Sequence, residues 1–315
     1  MHGFESKNVI CGEYRHPRQM LHDQTYDGHV SIHDDKMAED LGFSGAPIEG
    51  PTHFSQFVPL LAEIFGQAWF EKGCISSHYL NMVVEGEEVR AFAERPDDGA
   101  TITRIWAEKR DGTPVLSGTA SLGPVYEPSE LDQRRAKLRD SDQLVILAEL
   151  SVGMKGKKDE LVSMGFDQHM GDLYPFSLND KLRGITELSS WYTAEGGADS
   201  PWGKAIIPLE MISVLTQFSS REAGFPVKGP AVGLFADQEI KLVDGPLFVG
   251  QEYRLQREIV ALSESRRVES NWVMTSVYEA DSGKLVAECL LNSATLKDSY
   301  AKYAEEAKSL GKELA

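Results

Sequence analysis

PTHFSQFVPLLAEIFG, residues 51–66, reads as a single buried helix with a proline at its head. Phe54, Phe57, Val58 and Leu61 recur at i, i+3, i+4 and i+7, which lines one face of an α-helix. Pro51 suits the first helical position, and Pro59 further in predicts a kink. A second proline-led run, PLEMISVLTQFSS, begins at Pro208. The offset, 208 − 51 = 157, is half of the 315 residues to within one, so the chain reads as a tandem duplication.

The segments C-terminal to the two helices repeat as well. HYLNMVVEGEEVRAFAE (78–94) corresponds to FADQEIKLVDGPLFVGQEYRLQREIV (235–260), with Gly86 matching Gly250 and about seven extra residues in the second copy. ITRIWAEKRDGTPVLSGTASL (102–122) corresponds to VMTSVYEADSGKLVAECLLNSATL (273–296). Asp111-Gly112 and Ser282-Gly283 sit between β-rich runs and predict hairpin turns. Each copy is then a leading strand, a loop, one long helix and three or four antiparallel strands. That pattern is α+β, a sheet curled around one helix. The expected organisation is a first copy over 1–125, a charged connector over 126–142, a second copy over 143–297 and a helical tail over 298–315 with little to bury. The two sheets are expected to join edge to edge, because pairing removes an exposed edge.

Composition sets limits on function. Hydrophobic residues make 41% and charged residues 26%, which suits globular packing and argues against wholesale disorder. No stretch approaches the roughly 20 apolar residues of a membrane span, and no signal peptide is expected, because the first residues lack a basic region followed by an apolar run. The three cysteines are far apart with no CxxC pair, against structural zinc and a disulfide framework. A cytoplasmic protein is expected. A net charge of −17 makes nucleic acid a poor partner, since phosphate binding needs clustered Lys and Arg.

The loop before the first helix, TYDGHVSIHDDKMAEDLGF (25–43), crowds Asp27, His29, His33, Asp34 and Asp35 together. One helix in a curled sheet, duplicated, resembles the double hotdog fold. The loop resembles the MaoC-like (R)-specific enoyl-CoA hydratases and dehydratases. Their signature runs Gly-Asp-x-Asn-Pro-x-His-x-Asp, an Ala, Gly-Phe, then Ile-x-His-Gly. Ala38, Gly42-Phe43, Ile48 and Gly50 stand here in that order. Counted back from Ala38 without gaps, Asp27 falls on the family's catalytic aspartate and Asp34 on the later one. The asparagine becomes His29 and the catalytic histidine Ile32; a one-residue slide brings in His33. The histidine before the helix glycine is Glu49.

The resemblance implies hydration or dehydration of an enoyl thioester carried on CoA or a carrier protein, with no cofactor, in a homodimer of double hotdogs; no metal is expected, since no His/Asp/Glu set at ligand spacing stands apart from the loop. Such chemistry needs a base for water, an acid for the α-carbon and donors for the thioester oxygen. Asp27 with His33 is the expected acid–base pair, with His29 as substitute. Asp34 also reads as a plain helix cap. Glu49 reads as a base or as a negative charge placed at the positive end of the helix dipole. Pro51 lacks an N–H, so Gly50, Thr52 and His53 are the expected substrate-binding donors, Gly50 also for close approach of the substrate. Seven of eight histidines lie in the first 78 residues, which suits one active copy. A thioesterase, with Glu49 or Asp34 activating water against the carbonyl, is the alternative reaction. A ligand-binding double hotdog without catalysis is the third reading.

Overall fold

The computed structural model describes residues 8–26, 29–40, 42, 44–139 and 143–312. Ten strands form one antiparallel sheet: β1 (Val9–Cys11), β2 (Gly73–Tyr79), β3 (Val89–Glu94), β4 (Ile102–Lys109), β5 (Pro114–Leu122), β6 (Glu160–Val162), β7 (Gly233–Leu242), β8 (Tyr253–Glu264), β9 (Val268–Glu279) and β10 (Leu285–Leu296). Their spatial order is β1-β3-β4-β5-β2-β7-β10-β9-β8-β6. The halves meet where β2 pairs antiparallel with β7, from Cys74↔Lys241 to His78↔Asp237. The expected edge-to-edge junction is therefore present, and the sheet ends on three-residue strands that offer little edge.

The turn chemistry repeats between the two copies. Gly86 and Gly250 both take the left-handed region, at φ 93° and 78°, and turn the chain into β3 and β8. Two helices lie in the curl of the sheet: α2 (Phe54–Phe65), entered through a 3₁₀ turn at Gly50–His53, and α5 (Leu209–Gln217). The predicted apolar face of α2 is buried, with Phe54, Phe57 and Leu61 fully enclosed. Pro59 sits inside α2 on its exposed side, and the helix continues past it to Phe65. All nine residues of α5 are buried, Glu210 among them. The first short helix, α1 (Asp35–Asp40), follows the polar loop.

Two segments pack more than their composition suggests. The charged connector holds α3 (Glu130–Arg135), opened by a reciprocal Ser129/Asp132 capping box. Leu131 is fully buried there with Trp272 and Leu290, on the outer face of the sheet. The tail forms α6 (Tyr303–Ser309), and Tyr303 and Ala307 bury against Leu144–Leu147 and Ile259. The Glu269 carboxylate ties these parts together. It accepts from the amides of Val145, Ile146 and Leu147 at 2.8, 2.9 and 3.1 Å, and from the Tyr303 hydroxyl at 3.1 Å. A tail with little to bury was the wrong expectation, because two apolar residues spaced i, i+4 suffice once a hydrophobic patch awaits them.

Candidate functional site between the two copies

The site forms where the chain enters α2. The Ile48 amide bonds the Val83 carbonyl at 2.7 Å, which clips the approach to the sheet. Glu49 is then extended, and the 3₁₀ turn starts at Gly50. Its amide precedes the first hydrogen-bonded turn, so it has no carbonyl behind it to bond. The Thr52 amide is different: it donates to the Glu49 carbonyl at 3.0 Å, so it is not the free donor expected from the sequence. Gly50 is also constrained by its neighbour. A Cβ there would lie 2.5 to 2.8 Å from the Tyr79 ring carbons.

A cavity of about 680 Å³ opens beside this turn. Its walls include Ile32, His33, Glu49, Gly50, His53 and Tyr79 from the first copy, and Tyr174, Arg257 and Leu291 from the second. The residue that dominates it is Glu49, which is 9% exposed. Burial raises its carboxyl from the ordinary 4.5 to about 7. The Lys181 charge and a hydrogen bond from Tyr174 oppose that rise, and Glu210 adds to it. The Tyr174 hydroxyl donates to Glu49 Oε1 at 2.9 Å, so the second copy completes the site.

His33 lies on the wall with its Nδ1 2.6 Å from the Pro47 carbonyl. Two acceptors would repel at that distance, so Nδ1 carries the proton and Nε2 keeps a lone pair. Burial lowers the pKa of this imidazole to about 4, with the Pro47 bond opposing, so it is neutral at pH 7. His53 is 2% exposed. Burial, Lys181 and Lys109 lower it to about 4 as well.

The remaining expected residues separate clearly. Asp27 lies outside the described residues, and His29 is placed only as backbone in a two-residue strand pairing with Thr25–Tyr26. Asp34 is not on the cavity wall: its Oδ1 accepts the Met37 amide at 2.9 Å, the cap of α1. That corrects its reading as a catalytic residue, since a loop aspartate three residues before a free amide caps it. Asp35 accepts the Ala46 amide at 2.9 Å. Thr52 offers its hydroxyl oxygen to Lys181 Nζ at 3.2 Å. His78 sits at the seam between halves, bonded to Asp237 at 2.7 Å. Arg90 and Arg110 flank the Tyr14 ring and Arg104 covers Trp106, all away from the cavity.

Sequence reasoning missed Tyr174, Lys181 and Glu210. Glu210 left a signal: it stands 157 residues after His53, in the first turn of an apolar helix, where a carboxylate is unexpected. Tyr174 and Lys181 left none, because they reach the site from a long segment between β6 and α5. Among the described residues no His, Cys, Asp and Glu group could hold a metal ion, and no helix is long and apolar enough to cross a membrane.

No family model matches the sequence, and no curated protein matches it. Solved structures do match in fold. A protein assigned as a MaoC domain protein dehydratase, from Chloroflexus aurantiacus J-10-fl, superposes with a TM-score of 0.58 at 15% identity, covering 93% of this chain and 96% of that one. A conserved hypothetical protein from Mycobacterium tuberculosis, described as a double hotdog, superposes with a TM-score of 0.50 at 10% identity, covering 84% and 86%. The chain is a double hotdog protein, the fold that its sequence resemblance implied.

Proposed function

We propose that this double hotdog is an acyl-thioester hydro-lyase, adding water to, or removing it from, a 2-enoyl thioester on CoA or a carrier protein. The observation that carries the reading is Glu49: a buried carboxyl raised to about 7, facing a mostly apolar cavity at a helix start. A group titrating near the working pH can give and take a proton in one cycle.

The protonation states suggest the roles. His33 presents only a lone pair at Nε2, so it accepts the proton of water. Glu49, half protonated near pH 7, delivers a proton to the α-carbon. Hydroxide adds to the β-carbon, and charge on the thioester oxygen is met by the Gly50 amide. The proton gained by His33 then passes through solvent to the ionised Glu49, which returns both groups to their starting states, so the addition balances. Dehydration runs the same steps in reverse. Asp27 keeps its sequence-based candidacy as a partner in this proton traffic.

The test is a panel of enoyl and 3-hydroxyacyl thioesters, followed by loss or gain of enoyl absorbance and by free thiol. Expected is interconversion without thiol release, abolished in Glu49→Gln. Thiol release would favour the thioesterase reading. Tight binding with no turnover would favour a ligand-binding protein.

A further inference from the structure

The two helix starts meet around a buried lysine. Lys181, on α4 (Leu178–Leu182), is 4% exposed. α4 is held by its own Ser177/Asp180 capping box, so the lysine enters on a fixed element. Its Nζ lies 3.1 Å from Glu210 Oε1 and 3.2 Å from Thr52 Oγ1. Glu210, 2% exposed, accepts the Ser55 hydroxyl at 2.5 Å through its other oxygen. Glu210 occupies in the second copy the place of His53 in the first, since 210 − 157 = 53. The second helix start thus holds an ion pair where the first holds a histidine on the cavity wall.

For stability alone such a pair has little to recommend it. Desolvating an ammonium and a carboxylate offsets much of their attraction, and an apolar pair of similar volume often does as well. The surroundings suggest another use. We infer that Lys181 is a positioning residue of this site: it anchors the first turn of α2 through Thr52 and sets the charge that the Glu49 carboxylate faces. This inference rests on the reading of Glu49 as the acid–base group.

The groups facing Glu49 come from four directions. Tyr174 and Lys181 approach from the second copy's long segment, Glu210 from α5, His53 from the turn into α2 and Tyr79 from β2. Of these, only Lys181 is a cation when His53 is neutral, and it favours the ionised form of Glu49, which burial disfavours. Without it, the protonated form of Glu49 would be favoured further at neutral pH. Glu210 acts with the opposite sign.

The experiment reads Glu49 without any substrate. Its protonated carboxyl is followed through a pH titration by difference infrared spectroscopy, identified as the band absent from Glu49→Gln. Lys181→Met is expected to move the midpoint upward, with about tenfold higher proton affinity. Lys181→Arg is expected to stay near the wild type, and Glu210→Gln to move downward. A Lys181→Met midpoint equal to the wild type's overturns the inference, because a lysine that only packs would leave the titration alone. Should Lys181→Met not fold, Glu210→Gln decides: an unmoved or raised midpoint overturns it. The readout needs no turnover, so failure of every thioester to react would remove the proposed reaction and leave this inference standing.

Discussion

Replacing Glu49 by glutamine should make the protein more stable and nearly inactive, and both halves of that outcome come from one buried carboxyl. The folded-state pKa is raised from 4.5 to about 7. The folded protein therefore binds this proton more tightly than the unfolded chain. Its contribution to stability is fully present below about pH 4.5 and is lost as pH rises through 7. The gap of about 2.5 pH units corresponds to about 3 kcal/mol of stability that the wild type forgoes above pH 7. Glutamine does not titrate, and its side-chain oxygen can still accept from Tyr174. Glu49→Gln should thus match the wild type near pH 4.5 and exceed it by about 3 kcal/mol at pH 8. For 315 residues, with about 2.1 cal/mol/K of unfolding entropy per residue, that is a rise in Tm of about 4 to 5 °C. Turnover should fall by about 10² to 10⁴. The assay is urea denaturation of both proteins at pH 5 and pH 8, beside thioester turnover. A stability difference that does not change with pH, or a variant weaker at pH 8, would refute the buried, near-neutral carboxyl.

The acid side should report the histidines. Burial lowers His33 to about 4, so its contribution to stability is complete above 6.5 and lost as pH falls through 4; His33→Gln should shift acid unfolding, followed by tryptophan fluorescence, to lower pH and abolish turnover, and an unmoved acid midpoint would count against the neutral imidazole. Gly50→Ala must displace the Tyr79 ring, since the new Cβ would stand 2.5 Å from it. A loss of about 1 to 3 kcal/mol is expected in thermal unfolding, relieved when Tyr79→Leu is added; a Gly50→Ala protein as stable as the wild type would show that the turn and the ring are not in contact.

Much of the site's address was legible in the sequence. Glu49, Gly50 and His53 stand beside Pro51, where a helix start supplies unbonded amides. His33 was legible through the crowded loop, although its slot in the resemblance needed a one-residue slide. The protonation states were not legible. A glutamate that burial raises to about 7 and a histidine that burial lowers to about 4 look identical in a string of letters to their exposed counterparts, because desolvation depends on what other segments cover them. For Asp34 the string offered both a catalytic role and a cap, and the fold shows it capping α1.

By itself the sequence determined the architecture: a 157-residue offset, two proline-led helices and the glycine turns beyond them specify two like units, and like units with open edges pair. Only the tertiary structure decided which side chains meet at the candidate site. Tyr174 and Lys181 stand 125 and 129 residues from their partners Glu49 and Thr52, and no local periodicity encodes that meeting. The reason is physical: helix and strand patterns follow from contacts a few residues apart, whereas the charge balance of a buried site is set by whichever distant side chains the packed fold brings to it.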